Sequence, residues 1–228
     1  MNAEITLEWI KREMMIAIVR GVSPADIIDT AKALLQGGIS NMEITFHHTS
    51  ASGINETLRS ICTMKDYFGD QINIGAGTVL SAREVELASE AGADYMISPN
   101  TDLKVITRTK ELGKVSIPGA LTPTEICTAY DNGADMIKLF PAGVLGLPYI
   151  NAVRAPLKHI PVCAVGGIQP ETMSSYLKAG IACFGIGSNL VSLEYIGKGE
   201  FVELTRTAKL YRQVLDSEIS QDRQRERS

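Results

Sequence analysis

The sequence reads as α/β, a single-domain (β/α)8 barrel with an extra N-terminal helix. Eight short apolar, β-branched runs recur along the chain, their starts roughly 20 to 30 residues apart, the length of one strand, one helix and two short loops. The stretches between these runs open and close with helix punctuation. At 228 residues, 45% hydrophobic and 21% charged, the chain suits one barrel with one substantial core, and no linker or composition break marks a second domain.

Taken in order, Met1 to Glu13 reads as a leading helix that covers the barrel floor. Strands are expected at Met15 to Val19, Met42 to Phe46, Ile72 to Ile74, Tyr95 to Ile97, Val115 to Ile117, Met136 to Phe140, Val162 to Val165 and Cys183 to Ile186. Ser23-Pro24-Ala25-Asp26 reads as an N-cap, a proline at the first helical position and an acidic first turn, in a helix that closes at Gly37-Gly38. Similar openings stand at Ser81-Ala82-Arg83-Glu84, Thr122-Pro123-Thr124-Glu125 and Gln169-Pro170-Glu171, and glycine stops at Ala91-Gly92, Asn132-Gly133 and Ala179-Gly180. Phe201 to Ile219 reads as a closing helix. The barrel domain is therefore expected over 1–219, and the wholly polar stretch 220–228 as a frayed C-terminal tail.

Composition excludes several classes of function. A net charge of -4 without a basic stripe argues against nucleic acid as a partner. No apolar run approaches the roughly 18 residues of a membrane span, so a soluble, cytoplasmic protein is expected. Cys62, Cys127, Cys163 and Cys183 form no Cys-x-x-Cys pair, which suits a reducing compartment, and the last two lie in apolar strands as buried, inert thiols.

The chemistry is concentrated where strands end, the face on which such barrels build their sites. Lys138 stands in the apolar strand Met136-Ile137-Lys138-Leu139-Phe140. An ammonium is costly to bury, and burial favours the neutral amine, a nucleophile toward carbonyl carbon. Alternation places Glu43, Thr45 and His47 on one face, and Glu43 in the frame Met42-Glu43-Ile44 meets the same burial cost. Facing each other, amine and carboxyl lower that cost and form a nucleophile and a proton carrier.

Gly75-Ala76-Gly77-Thr78, Ser98-Pro99-Asn100 and Pro118-Gly119 end three further strands, where glycines admit a ligand to the backbone and Thr78 offers a hydroxyl. The glycine turn Gly166-Gly167 and the turn Gly187-Ser188 stand where barrels commonly hold phosphate, and Arg20 ends the strand expected beside the last one.

The set Ile-Val-Arg-Gly, Met-Glu-Ile-Thr, Gly-Ala-Gly-Thr-Val-Leu, Ile-Ser-Pro-Asn, Ile-Pro-Gly, Ile-Lys-Leu-Phe-Pro-Ala, Val-Gly-Gly-Ile and Gly-Ser-Asn-Leu resembles the 2-dehydro-3-deoxy-phosphogluconate (KDPG) and 4-hydroxy-2-oxoglutarate (KHG) aldolases over about residues 16–191. The resemblance implies a class I aldolase on a TIM barrel, with no metal and no other cofactor, and a homotrimer. It would cleave a phosphorylated keto acid to pyruvate and glyceraldehyde 3-phosphate.

By position, the resemblance makes Lys138 the Schiff-base lysine and Glu43 the acid/base. Thr78, Arg20, Pro99 and Phe140 line the substrate, and Gly166, Gly167 and Ser188 hold phosphate. His47 departs from the pattern, standing where many members carry an arginine that contacts the substrate carboxylate. A neutral imidazole lacks that fixed, forked charge. Three other readings compete: a 4-hydroxy-2-oxoglutarate aldolase, a metal enzyme using Glu43, His47 and His48, and a non-catalytic sugar-phosphate sensor.

Overall fold

A computed structural model of the chain describes residues 2–50 and 52–225, with side chains through residue 220. Its nine parallel strands are β1 (Met15–Val19), β2 (Asn41–Thr45), β3 (Asn73–Gly77), β4 (Tyr95–Ile97), β5 (Val115–Ile117), β6 (Gly119–Ala120), β7 (Ile137–Leu139), β8 (Val162–Val165) and β9 (Cys183–Ile186). The hydrogen-bonded order β5-β4-β3-β2-β1-β9-β8-β7-β6 ends on two strands that are neighbours in sequence. Pro118 separates them, because a proline has no N–H for the ladder. Its carbonyl still accepts from the Lys138 N–H at 2.9 Å. β5 and β6 are thus the fifth strand of the expected eight, interrupted once, and the (β/α)8 barrel closes through the chain itself.

Strands in a closed barrel are covered on both faces, so they are buried throughout and mostly apolar, with buried polar exceptions such as Asn41, Glu43, Thr45 and Asn73. Alternate residues fill two cores. Ile16, Ile18, Tyr95, Ile97, Val115, Ile117, Cys163, Val165 and Cys183 fill the barrel interior, while Ala17, Met42, Ile44, Ile74, Met96, Ile137, Leu139, Ala164 and Phe184 face the helices. Helix α1 (Ala3–Glu13) closes the floor as expected: its Ile10 belongs to the interior cluster, and Asn73 donates to the Thr6 carbonyl at 3.3 Å.

The outer ring comprises α2 (Ile27–Gln36), α3 (Gly53–Phe68), α4 (Ala82–Glu90), α5 (Leu103–Glu111), α6 (Pro123–Asp131), α7 (Ala142–Arg154), α8 (Pro170–Lys178), the short α9 (Leu193–Gly197) and α10 (Phe201–Arg225). Ser81, Thr122 and Gln169 are N-caps, and Thr122 with Glu125 completes a capping box. The stops Gly38, Gly92, Gly133 and Gly180 all have positive φ, the left-handed conformation that glycine supplies most readily.

Several expected boundaries are corrected: β2, β3 and β7 span Asn41–Thr45, Asn73–Gly77 and Ile137–Leu139 in place of Met42 to Phe46, Ile72 to Ile74 and Met136 to Phe140. Ser23 and Asp26 hydrogen-bond to each other and form a turn, so α2 begins only at Ile27. The closing helix runs to Arg225 rather than Ile219, since Gln and Arg are good helix formers. Of the tail expected over 220–228, residues 226–228 lie outside the described residues.

Candidate active site

Strand register builds the site. Ile18, Glu43, Gly75, Tyr95 and Val115 are successive Cα partners from β1 to β5, and Gly119, Lys138, Cys163 and Cys183 are partners from β6 to β9. Both rows share members with the interior cluster, so Glu43 and Lys138 point into the barrel. They are 1% and 4% exposed, a depth at which neither charge is free of cost.

Burial raises the Glu43 carboxyl above its ordinary value, while the charges of Lys138 and Arg20 pull against that shift. Glu43 Oε1 has no hydrogen-bond partner among the described residues. A carboxyl held in this way keeps and releases a proton nearer neutral pH than a surface carboxyl does.

Glycines shape the space around these groups. A Cβ on Gly77 would fall 1.8 Å from Glu43 Oε1, and one on Gly75 would fall 2.0 Å from the Tyr95 ring. A Cβ on Gly119, the partner of Lys138, would strike the Pro99 carbonyl at 2.3 Å. Pro99 therefore packs its backbone against β6, the strand next to the lysine strand.

Lys138 Nζ stands 5.4 Å from the centroid of the Phe140 ring, which in turn lies against Gly166: a Cβ there would meet the ring at 3.2 Å. Phe140 thus spans from the lysine to the glycine turn after β8. Gly166 and Gly167 have φ of +92° and +73°, and Gly143 N–H donates to the Gly166 carbonyl at 2.7 Å. Ser188 is exposed in the turn after β9, and its neighbour Asn189 donates to the Ile168 carbonyl at 2.9 Å, tying the two turns together. The three expected phosphate residues therefore share one rim.

Arg20 and Thr78 form a second polar group. The guanidinium lies 3.4 Å from Thr78 Oγ1, reaching over β2 toward the end of β3 and not toward the Ser188 turn on its other side. Thr78 has φ +57°, which is costly for a β-branched residue and persists where surrounding structure enforces it.

His47 is the expected residue that the structure does not bring to this group. Its exposed ring contacts Thr49 Oγ1 at 2.9 Å through Nε2, on its own loop. His48 pairs with Glu84 at 3.0 Å, and Glu84 also accepts from the Leu80 N–H. Glu43, His47 and His48 do not converge, and no trio of potential ligands does so among the described residues.

Sequence reasoning did not single out Tyr95 as a site neighbour or see what Gly75 and Gly77 clear. Its available signal was the alternation Gly75-Ala76-Gly77, two side-chain-free positions on the inward face of one strand.

Comparison with known proteins identifies the family of the chain. The family model described as KDPG and KHG aldolase matches residues 7–207. The 2-dehydro-3-deoxy-6-phosphogalactonate aldolase of Escherichia coli strain K12 is 35% identical over 185 residues, covering 81% of this chain and 87% of that protein. The solved native KDPGal structure superposes with a TM-score of 0.80 at 33% identity, over 90% of this chain and 96% of that one. A KDPG aldolase of Legionella pneumophila, solved with pyruvate captured as a covalent carbinolamine, gives a TM-score of 0.80 at 25% identity, with the same 90% and 96% coverage. The chain belongs to the KDPG and KHG aldolase family.

Proposed function

We propose that this protein is a class I aldolase that reversibly cleaves 2-dehydro-3-deoxy-6-phosphogluconate, or its C4 epimer the galactonate, to pyruvate and glyceraldehyde 3-phosphate. The observation that carries the reading is the buried Glu43 carboxyl within reach of the Lys138 charge, both pointing into the barrel from the middle of β2 and β7. Relatives named for the galactonate, at 35% and 37% identity against 29% to 32% for those named for the gluconate, support the C4 epimer by a small margin.

The neutral amine of Lys138 attacks the C2 ketone, and the carbinolamine loses water to give an iminium. Removal of the C4 hydroxyl proton breaks the C3–C4 bond, and its electron pair moves into the iminium as an enamine. The aldehyde leaves, the enamine carbon takes a proton, and water releases pyruvate and the free lysine. Glu43 is the group that carries protons at the carbinolamine, the C4 hydroxyl and the enamine carbon. The iminium is itself the electron sink, so the reaction requires no resident metal or cofactor.

Around the reacting carbons, Arg20 and Thr78 hold the substrate carboxylate, Pro99 and Phe140 enclose its chain, and Gly166, Gly167 and Ser188 hold the phosphate. A cytoplasmic homotrimer serving the Entner–Doudoroff type of sugar-acid breakdown completes the proposal, supported by the family resemblance. Among the described residues no helix is long and apolar enough to cross a membrane. Light scattering on the purified protein reads the assembly.

A turnover panel tests the substrate. Pyruvate release is followed with the phosphorylated gluconate and galactonate keto acids and with unphosphorylated 4-hydroxy-2-oxoglutarate. At least one phosphorylated acid should have the highest kcat/KM. Preference for the unphosphorylated acid would assign the protein to the 4-hydroxy-2-oxoglutarate branch, and no turnover of any would overturn the aldolase reading.

A further inference from the structure

Two side-chain oxygens buried in the barrel, Tyr95 Oη and Glu43 Oε1, have no hydrogen-bond partner among the described residues. Tyr95 is 0% exposed and Glu43 1%. A hydroxyl and a carboxyl left unsatisfied at such depth each cost free energy, so their occurrence in one small interior calls for a shared explanation.

The register supplies one. Glu43, Gly75 and Tyr95 are Cα partners on three adjacent strands, and Gly75, in the middle, has no side chain to separate the outer two. The Tyr95 ring fills that gap, with Cε2 and Cζ lying 2.0 and 2.5 Å from where a Gly75 Cβ would be. One step further along β3, Gly77 clears the space that the Glu43 carboxyl occupies. Two inward glycines thus leave no β3 side chain between ring and carboxyl.

We propose that Tyr95 is a positioning residue for the acid/base: its hydroxyl donates, through one buried water, to the Glu43 carboxyl. A water in a polar interior site needs two or more partners, and these two oxygens supply them. The inference rests on the role given to Glu43 above and adds a residue to it.

The charged and titratable groups around the pair are few. Lys138 and Arg20 act on Glu43. Glu43, Cys183, Asp94 and Cys163 act on Tyr95, whose own ionisation is pushed far up by burial, so its hydroxyl keeps its proton and remains a donor. Donation to a carboxylate favours the charged form, so Tyr95 offsets part of what burial does to Glu43. Without the hydroxyl, Glu43 should hold its proton to higher pH.

Tyr95→Phe tests this with almost no change of shape. The acidic limb of the kcat/KM profile should move up by about one pH unit, the scale of one hydrogen bond to a charged group. The second readout is independent of catalysis: a carbon-detected titration of protein labelled at the glutamate carboxyls, with the Glu43 signal assigned by its loss in Glu43→Gln. Its midpoint should rise by the same amount in Tyr95→Phe.

If the midpoint moves in a protein that turns nothing over, the pairing stands and the aldolase reading fails. If turnover is present and neither limb nor midpoint moves, Tyr95 only fills space and the proposal is overturned. The latter result leaves the aldolase reading intact.

Discussion

The carboxyl of Glu43 occupies the place where a side chain at Gly77 would begin, since a Cβ there would stand 1.8 Å from Oε1. β3 is held by hydrogen bonds on both sides, so in Gly77→Ala the carboxyl must move. Overpacking of this kind costs about 1 to 3 kcal/mol, and the displaced carboxyl should lower kcat more than it raises KM. Thermal unfolding and steady-state kinetics on one preparation check both. Wild-type kcat in Gly77→Ala would mean that the position of the carboxyl does not matter.

Glu43→Gln should slow turnover by about 100-fold or more, the usual scale for a positioned acid/base. It also makes a prediction about stability. The folded-state pKa of Glu43 is raised, so the stability it contributes is fully present below the ordinary carboxyl pKa and is lost as pH rises through the folded value. Gln mimics the protonated carboxyl and escapes that loss. The melting temperature of Glu43→Gln relative to wild type should therefore climb as pH rises above the ordinary carboxyl value. A constant difference over that rise would show that Lys138 and Arg20 fully compensate the buried charge.

Ser188→Ala should raise KM for the phosphorylated keto acid about fivefold, as expected for one hydrogen bond, and leave pyruvate imine formation unchanged. Ser188 shares its rim with the Gly166 turn and is remote in role from Lys138. Kinetics with the full substrate beside imine trapping with pyruvate separates the two effects. Equal damage to both would place Ser188 outside a phosphate site.

Arg20→Ala should weaken pyruvate binding by about tenfold or more, the scale of a charge-assisted hydrogen bond. His47→Ala should do less, because the ring of His47 is engaged with Thr49 while Arg20 stands with Thr78. The concentration of pyruvate that half-saturates imine trapping gives both values. The reverse order would show that His47 swings in to take the carboxylate.

Much of the barrel was legible because its signals are local or forced by burial. Strands covered on both faces must be apolar, so β1, β4, β8 and β9 run over the expected residues. Caps are local chemistry, and Ser81, Thr122 and Gln169 were readable for that reason. Ser23 looked the same, yet its hydroxyl closes a turn on Asp26 instead. Glu43 and Lys138 stood out because a charge in an apolar strand has little choice but to face a partner.

Other features depend on tertiary packing. β4 has only three residues, Tyr95–Ile97, too few to reveal which side faces inward, so Tyr95 passed as ordinary strand. The direction of the His47 ring is set by its loop partner Thr49, and the reach of Arg20 to Thr78 spans the end of β2. Neither contact has a periodic signature.

The central claim is that the Lys138 amine is the nucleophile that attacks the C2 carbonyl carbon, and reductive trapping measures it directly. Incubation with pyruvate and borohydride, followed by peptide mapping, should place one reduced pyruvyl adduct on the peptide containing Lys138. Lys138→Arg, which keeps a cation but cannot form an imine, should give no adduct and no turnover while remaining folded. An adduct on another lysine, or turnover without any adduct, would contradict the account.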